Sequence, residues 1–153
     1  MKEQITIRKL TRDDIEDLLR IEKALGSQIN ADLRHSILEY FDSSESATNL
    51  GAELDGQLIG FIVGELRLWE FGEKQPVGWV KELGVDPDFQ GRGVGVALGR
   101  ELLMHFKSKG AKIVKTLVEW DSGDVISYFR SLGFKKGSQI VLEGDLTEIN
   151  IIF

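Results

Sequence analysis

The sequence predicts a mixed α/β fold, because segments with strand periodicity alternate with segments of helical periodicity along the chain. Apolar and polar residues alternate from Gln4 to Lys9, which is typical of a strand with one buried face. Apolar residues recur every four positions from Val94 to Phe106, which is typical of a helix packed on a core. No linker, repeat or low-complexity segment divides the chain, so residues 1–153 are expected to form one domain.

Two short helices are predicted after the first strand. Thr11 and Asp14 have the spacing of a helix-capping box, and apolar residues with helical spacing follow from Ile15 to Ile21. A second helix is predicted from about Asp32 to Phe41, because a polar stretch then ends the apolar pattern.

The middle of the chain is predicted to form three strands. Leu50 to Leu54 and Leu58 to Leu68 are separated by Asp55-Gly56, the turn chemistry of a tight hairpin. A loop with two aromatic residues, Trp69 to Pro76, comes next, and a third strand is predicted from about Val77 to Val85.

The last third of the chain alternates helices with strands. The helix that starts near Gly93 is expected to end at Gly110, since glycine takes the left-handed cap at low cost. Another helix is expected from Asp124 to Leu132, closed by Gly133. A buried strand is predicted at Ile113 to Val118, and one or two final strands at Gln139 to Glu143 and Glu148 to Phe153. The predicted order is β-αα-βββ-α-β-α-β.

Composition argues against several classes of function. The chain has no cysteine, and its two histidines, His35 and His105, lie far apart, so no metal site or thiolate nucleophile is expected. A net charge of −6 with scattered basic residues argues against nucleic-acid binding. No apolar run reaches the roughly 20 residues needed to cross a bilayer, and no signal peptide is evident, so no membrane partner and a cytoplasmic location are expected.

A glycine-rich segment, Gln90-Gly-Arg-Gly-Val-Gly95, joins a predicted strand to a predicted helix. Its three glycines at alternate positions leave successive backbone N–H groups unshielded by side chains. At a helix N-terminus these groups lack partners and the helix dipole favours negative charge, so a pyrophosphate can be held there. Arg92 can add a charge-assisted contact.

Other glycine-rich loops fit this segment less well. A P-loop needs Lys-Ser/Thr after its last glycine, where Val96-Ala97 stand. A dinucleotide fingerprint needs a third glycine or alanine in register, where Val96 or Leu98 stands. A glycine-rich turn that only packs a helix on a strand remains the alternative.

The segment from Val85 to Gly95, Val-Asp-Pro-Asp-Phe-Gln-Gly-Arg-Gly-Val-Gly, resembles the acetyl-CoA signature of the GNAT N-acetyltransferase superfamily. Leu132-Gly-Phe134 resembles a second motif of that family, and the element order agrees over residues 5–143. The resemblance implies a mixed, mainly antiparallel sheet of six to seven strands flanked by four helices. It also implies acetyl-CoA as co-substrate, no metal, and a small-molecule, peptide or protein N-terminal amine as acceptor.

The resemblance also implies where the cofactor binds. The predicted strands before and after the glycine-rich helix would splay apart and free backbone groups for the pantetheine arm, and the glycine-rich segment would hold the pyrophosphate. The residues expected to bind the cofactor are Leu83, Gly84, Val85, Gln90, Gly91, Arg92, Gly93, Val94 and Gly95.

Acyl transfer to an amine needs a base, since a lysine-like amine costs about 4.6 kcal/mol to deprotonate at pH 7. Glu82 is the candidate base, acting through a water, because alternation along the strand separates its side chain from that of Leu83. The alternative is a solvated strand glutamate. Weaker candidates for binding a cationic substrate are Glu119, Asp121, Glu70 and Glu73.

The sequence departs from the family pattern at the position of the proton donor for the leaving thiolate. Many family members have a tyrosine three residues before Leu-Gly-Phe, where this chain has Phe129. Tyr128 is the candidate acid, but one position earlier on a helix is a rotation of about 100°. Ser122 also replaces an asparagine often found in the family. This departure keeps a second hypothesis open, an acyl-CoA-binding regulatory module with little transferase activity. The family also implies a possible homodimer, in which the final strands pair between subunits.

Overall fold

A computed structural model describes residues 4–41, 47–68 and 75–149 of the chain. In these ranges five strands form one sheet in the order β1-β2-β3-β4-β5. The strands are β1 Thr6–Lys9, β2 Ala47–Leu54, β3 Gln57–Arg67, β4 Val77–Val85 and β5 Ile113–Thr116. The helices are α1 Ile15–Ala24, α2 Ala31–Glu39, α3 Val94–Ser108 and α4 Gly123–Ser131, with 3₁₀ turns at Arg12–Asp14 and Pro87–Phe89. None of these helices is both long and apolar enough to cross a membrane.

The sheet is mainly antiparallel, as expected. β1, β2, β3 and β4 pair antiparallel in sequence order, and β5 pairs parallel to β4. The predicted hairpin joins β2 to β3, and both turn residues have left-handed backbone, with φ of 51° at Asp55 and 79° at Gly56. Two positive φ values suit the twist of a two-residue hairpin, which explains the Asp-Gly pair.

The final strands are the part of the fold prediction that the structure corrects. Within the described residues the sheet has five strands, not six to seven. Gln139 to Glu143 forms no strand, and Ile140, Val141 and Leu142 are 75%, 60% and 86% exposed. The segment has the apolar composition of a strand but pairs with no strand in the part of the chain that the structure describes. Residues 150–153, most of the other predicted final strand, lie outside the described residues, as does most of the aromatic loop at 69–74.

β5 also differs from the prediction of a buried strand at Ile113 to Val118. It ends at Thr116, and Ile113, Leu117 and Val118 are exposed. β5 is the last strand of the described sheet, so it pairs on one side only and its faces are only partly covered.

The sheet has an apolar core on each face. Buried residues of α3 and α4 pack on one face: Val94, Leu98, Leu102, Phe106 and Phe129. Buried residues of α1 and α2 pack on the other: Leu18, Leu19, Ile21 and Ile37. Residues of β3 contribute to both cores, Ile59 and Ile62 to the first and Leu58, Phe61 and Val63 to the second. The central strands are therefore covered on both faces.

A partly buried ion pair fixes β1 to the chain before α1. Both carboxylate oxygens of Asp14 accept from the Arg8 guanidinium at 2.8 Å, and one also accepts from the Thr11 backbone N–H at 2.8 Å. Asp14 is thus part of the predicted capping box, which here caps the start of a 3₁₀ turn. The hydrogen bonds from Arg8 hold the pKa of Asp14 below its ordinary value.

We expect this ion pair to make part of the stability depend on acidic pH. A carboxylate whose pKa is lowered by folding stabilises the protein above its unfolded pKa, about 3.9, and that contribution is lost as pH falls further. The difference in unfolding free energy between the wild type and Arg8→Gln should therefore shrink between about pH 5 and pH 3. Urea unfolding at several pH values measures it, and a difference constant down to about pH 3 would contradict the assignment.

Candidate active site

β4 and β5 separate halfway along β4. Their pairing runs from Val77 opposite Ile113 to Val80 opposite Thr116, where the Thr116 hydroxyl donates to the Val80 carbonyl at 3.0 Å. β4 continues to Val85 with β3 on its other side. The edge of β4 from Lys81 to Val85 therefore has no strand beside it in the described chain. The backbone groups that point to this edge are available to a ligand, apart from the Val85 carbonyl, which accepts from the Gln90 side-chain amide at 3.1 Å.

A cleft of about 540 Å³ lies along this edge of β4 and over the start of α3. Its lining residues come from four regions: the C-terminal end of α1, the end of β4, the segment from Phe89 to Val96, and α4. They are Leu25, Leu83, Gly84, Val85, Phe89, Gln90, Gly91, Gly93, Val94, Gly95, Val96, Asp124, Val125 and Tyr128. All the residues predicted to bind the cofactor line it except Arg92.

The first two glycines of the motif shape the loop that leads into α3. Gly91 and Gly93 have φ of 78° and 83°, and Gly93 is the N-cap of α3. A Cβ atom at either position would have no heavy atom within 4 Å. Glycine is therefore needed here for its backbone conformation, and the space above it is open to a ligand at the helix N-terminus.

The third glycine of the motif has a packing role in addition to its predicted place in the cleft wall. Gly95 lies in the first turn of α3, and a Cβ there would lie 3.3 Å from Cε2 of Tyr128. One turn later, a Cβ on Gly99 would lie 2.6 Å from the Tyr128 hydroxyl and 2.7 Å from Leu132. These two glycines let α4 approach α3 closely, so Gly95 serves helix packing as well as the cleft.

Tyr128 faces the cleft, and Phe129 does not. The Tyr128 hydroxyl donates to the Gly95 carbonyl at 2.6 Å. Phe129 is only 7% exposed, and its ring packs against that of Phe134 with the ring centroids 5.0 Å apart. The rotation between neighbouring helix positions therefore places the tyrosine of this chain in the cleft. Burial raises the pKa of Tyr128 to about 12, so its hydroxyl keeps its proton at neutral pH.

Glu82 lies on the side of the sheet that faces α1 and α2. The pairing of β3 with β4 shifts by one residue at Lys81, so that Val63 is opposite Glu82 and Gly64 is opposite Val80. On the neighbouring β4 position of the same face, a Cβ at Gly84 would lie 3.2 Å from Leu25. The Glu82 side chain is thus separated from that of Leu83, which packs towards α3.

The surroundings of Glu82 favour its neutral form. Partial burial raises the pKa of Glu82 first, the negative charge of Glu22 on α1 raises it further, and the positive charge of Lys81 opposes both. The residue keeps part of its surface exposed to solvent, so water can reach the carboxylate. An exposed strand glutamate with a raised pKa is a candidate for a general base.

Some predicted residues lie elsewhere, and some lining residues were not predicted. The Arg92 guanidinium lies 5.2 Å from the centre of the Phe89 ring rather than in the cleft wall. Glu119 and Asp121 are exposed after β5, and Glu70 and Glu73 lie outside the described residues. No sequence pattern indicated Leu25, Asp124 and Val125, because only the packing of α1 and α4 brings them to the motif.

Comparisons with known proteins agree with this geometry. The model of the acetyltransferase (GNAT) family matches residues 13–134. An uncharacterized N-acetyltransferase of Methanocaldococcus jannaschii is 30% identical over 137 residues, which cover 86% of this chain and 61% of that protein. A mycothiol acetyltransferase of Saccharomonospora viridis is 38% identical over 89 residues, 56% of this chain and 29% of that protein. This chain thus spans less than two thirds of the length of either relative.

The solved structures show the same fold. An aminoglycoside N-acetyltransferase in complex with CoA superposes with a TM-score of 0.80 at 18% identity, covering 95% of this chain and 97% of that chain. At this identity the likeness concerns the fold alone. The family match over residues 13–134 carries the assignment. The chain belongs to the GNAT acetyltransferase family.

Proposed function

We propose that this protein is an N-acetyltransferase that transfers the acetyl group of acetyl-CoA to an amine of a small molecule, a peptide or a protein N-terminus. The observation that carries the proposal is the cleft, which joins an unpaired strand edge to an open glycine loop at a helix N-terminus. Relatives named for mycothiol and aminoglycosides support a small-molecule amine as acceptor.

In this proposal each part of acetyl-CoA has its own binding surface. The backbone N–H groups from Gly91 to Gly95 bind the pyrophosphate, because they are unshielded and lie at the positive end of the α3 dipole, whereas the N–H of Gln90 donates to the Pro87 carbonyl. The backbone of Leu83 and Val85 bonds to the pantetheine amides as a neighbouring strand would. The thioester then lies near the point where β4 and β5 separate.

The proposed chemistry is direct attack of the amine on the thioester carbonyl. Glu82 takes a proton from the acceptor ammonium through a water, which leaves the amine lone pair free to form the new C–N bond. The nitrogen loses its second proton as the tetrahedral intermediate breaks its C–S bond, Tyr128 gives its proton to the departing thiolate, and the proton released from nitrogen restores the phenol through water. The products are the acetylated amine and CoA.

We expect Tyr128→Phe to lower kcat by about 10²-fold or more, the contribution typical of a positioned proton donor. The ring stays in place, so the Kd for CoA should change by less than about threefold, within the effect of one neutral hydrogen bond. Steady-state kinetics with calorimetry separates the two effects. Phe129→Leu is the control, since it alters the buried neighbour and leaves the phenol in the cleft. An unchanged kcat in Tyr128→Phe would exclude the assignment.

The second candidate function is an acyl-CoA-binding regulatory module with little transferase activity. The observation that favours it is the hydrogen bond of Tyr128 to Gly95, which occupies the only proton of the candidate acid. Free-thiol release from acetyl-CoA across a panel of amines, together with thermal shift by CoA, distinguishes the two functions. Thiol release that depends on an amine supports the transferase, whereas stabilisation by CoA with no release for any amine supports the module.

A homodimer is also part of the proposal. Apolar side chains that are exposed in the described chain, including Leu142 and Leu146 near its end, support contact with a second copy.

A further inference from the structure

A second partly buried ion pair lies just before the turn that leads to the glycine-rich segment. Arg20 of α1 donates to a carboxylate oxygen of Asp86 at 2.7 Å, and its other terminal nitrogen donates to the carbonyl of Leu58 at 2.7 Å. The Asp86 side chain is 6% exposed and the Arg20 side chain 37%. The Arg20 guanidinium therefore connects α1 to the start of β3 and to the residue that follows β4.

Asp86 is the residue from which the glycine-rich loop departs. Its second carboxylate oxygen accepts from the backbone N–H of Asp88 at 3.0 Å, and its carbonyl accepts from that of Phe89 at 2.8 Å. Its own N–H donates to the carbonyl of Ile59 at 2.8 Å. The carboxylate held by Arg20 thus caps the turn at Pro87–Phe89, and the direction of this turn sets the path of the chain to Gly91 and Gly93.

We propose that Arg20 is a positioning residue for the cofactor, acting through Asp86 on the pyrophosphate-binding loop. This inference rests on the proposed function, in which that loop binds acetyl-CoA. Binding sites built from several converging donors need their geometry held within about 0.5 Å. Arg20 supplies this support from outside the motif, on a helix that also ends at the cleft residue Leu25.

A second physical effect acts in the same direction. Asp86 places a negative charge directly before a loop proposed to bind a dianionic pyrophosphate. Arg20 offsets that charge by direct contact. In the described chain Arg20 is the ion-pair partner of Asp86. Loss of this partner would leave a nearly buried carboxylate uncompensated, which is strongly unfavourable. Without Arg20, the Asp86 side chain would turn towards solvent and release the turn, or would stay and repel the pyrophosphate.

The chain offers a matched control for the stability loss that such a change causes. The Arg8–Asp14 pair has nearly the same geometry and exposure, with a distance of 2.8 Å and side chains 31% and 7% exposed. It joins β1 to the turn before α1, and neither residue lines the cleft. Arg20→Gln and Arg8→Gln should therefore lose comparable thermal stability, and only the first should lose cofactor affinity.

The test is calorimetric titration of CoA into the wild type, Arg20→Gln, Arg20→Lys and Arg8→Gln, below the unfolding temperature of each. We expect the Kd for CoA to rise about tenfold in Arg20→Gln, equivalent to about 1.4 kcal/mol, and to stay within about twofold in Arg8→Gln. Arg20→Lys keeps the charge and one contact, so we expect an intermediate Kd and a variant that folds even if Arg20→Gln does not.

The outcomes separate this inference from the proposed function. If the wild type binds CoA and Arg20→Gln and Arg20→Lys bind it equally well, Arg20 does not position the loop and the proposed function stands. If Arg8→Gln weakens CoA binding as much as Arg20→Gln does, the effect is general destabilisation and the inference is wrong. If the wild type does not bind CoA, the proposed function fails and the inference fails with it.

Discussion

Gly93→Val is expected to weaken CoA binding by more than about 100-fold, or about 2.7 kcal/mol. Gly93 has φ of 83°, a conformation that a β-branched residue adopts only with strain. Its missing side chain also leaves the space over the first N–H groups of α3 open. Valine would put methyl groups where the pyrophosphate is proposed to lie, so both the loop conformation and the access to its donors would be lost.

Gly110→Val is the matched control for this variant. Gly110 follows the other end of α3, has φ of 91°, and would also place a Cβ with no heavy atom within 4 Å. The two substitutions share the backbone strain, but only Gly93 lines the cleft. Calorimetry with CoA should therefore show near wild-type affinity for Gly110→Val. Survival of CoA binding in Gly93→Val would contradict the account of the loop.

Glu82→Gln is expected to lower kcat at neutral pH by about 10²- to 10⁴-fold, the usual contribution of a general base. The Kd for CoA should stay unchanged, because the Glu82 side chain lies on the α1 and α2 side of the sheet and does not line the cleft. The effect should be larger for a lysine-like acceptor than for an α-amine, since the α-amine is easier to deprotonate.

The pH profile gives a second test of the same residue. A base acts only when deprotonated, so kcat of the wild type should fall as pH falls through the pKa of Glu82, which lies above its ordinary value. Glu82→Gln should lack this acidic limb. Glu53→Gln serves as the control, because Glu53 is a β2 glutamate paired with Arg8 and distant in the sheet from β4. Full activity of Glu82→Gln at neutral pH would exclude Glu82 as the base.

The parts of the fold that local chemistry determines could be predicted from the sequence. The hairpin turn follows from Asp55-Gly56, and the ends of α3 and α4 follow from Gly110 and Gly133, which both have positive φ. β4 occupies Val77–Val85 as predicted. The glycine-rich segment lies at the start of α3, because strand, loop and helix signals are adjacent in the chain.

The features that depend on long-range pairing could not be predicted. A strand pattern at residues 139–143 does not say whether a sheet edge is available, and the structure leaves that segment unpaired. The shift in pairing at Lys81 sets the face of Glu82, and no residue type in β4 signals it. The packing role of Gly95 and the orientation of Tyr128 both arise where α4 meets α3.

We propose that acetyl-CoA binds to the glycine-rich loop and to the edge of β4 that has no partner strand in the described chain. Titration of isotope-labelled protein with CoA, followed by amide NMR, tests it residue by residue. We expect the largest shifts at the amides of Gly91, Gly93 and Gly95, with smaller shifts at Leu83 and Val85. No shift on adding CoA, or shifts confined to the separate cavity beside Tyr40 and Lys81, would contradict it.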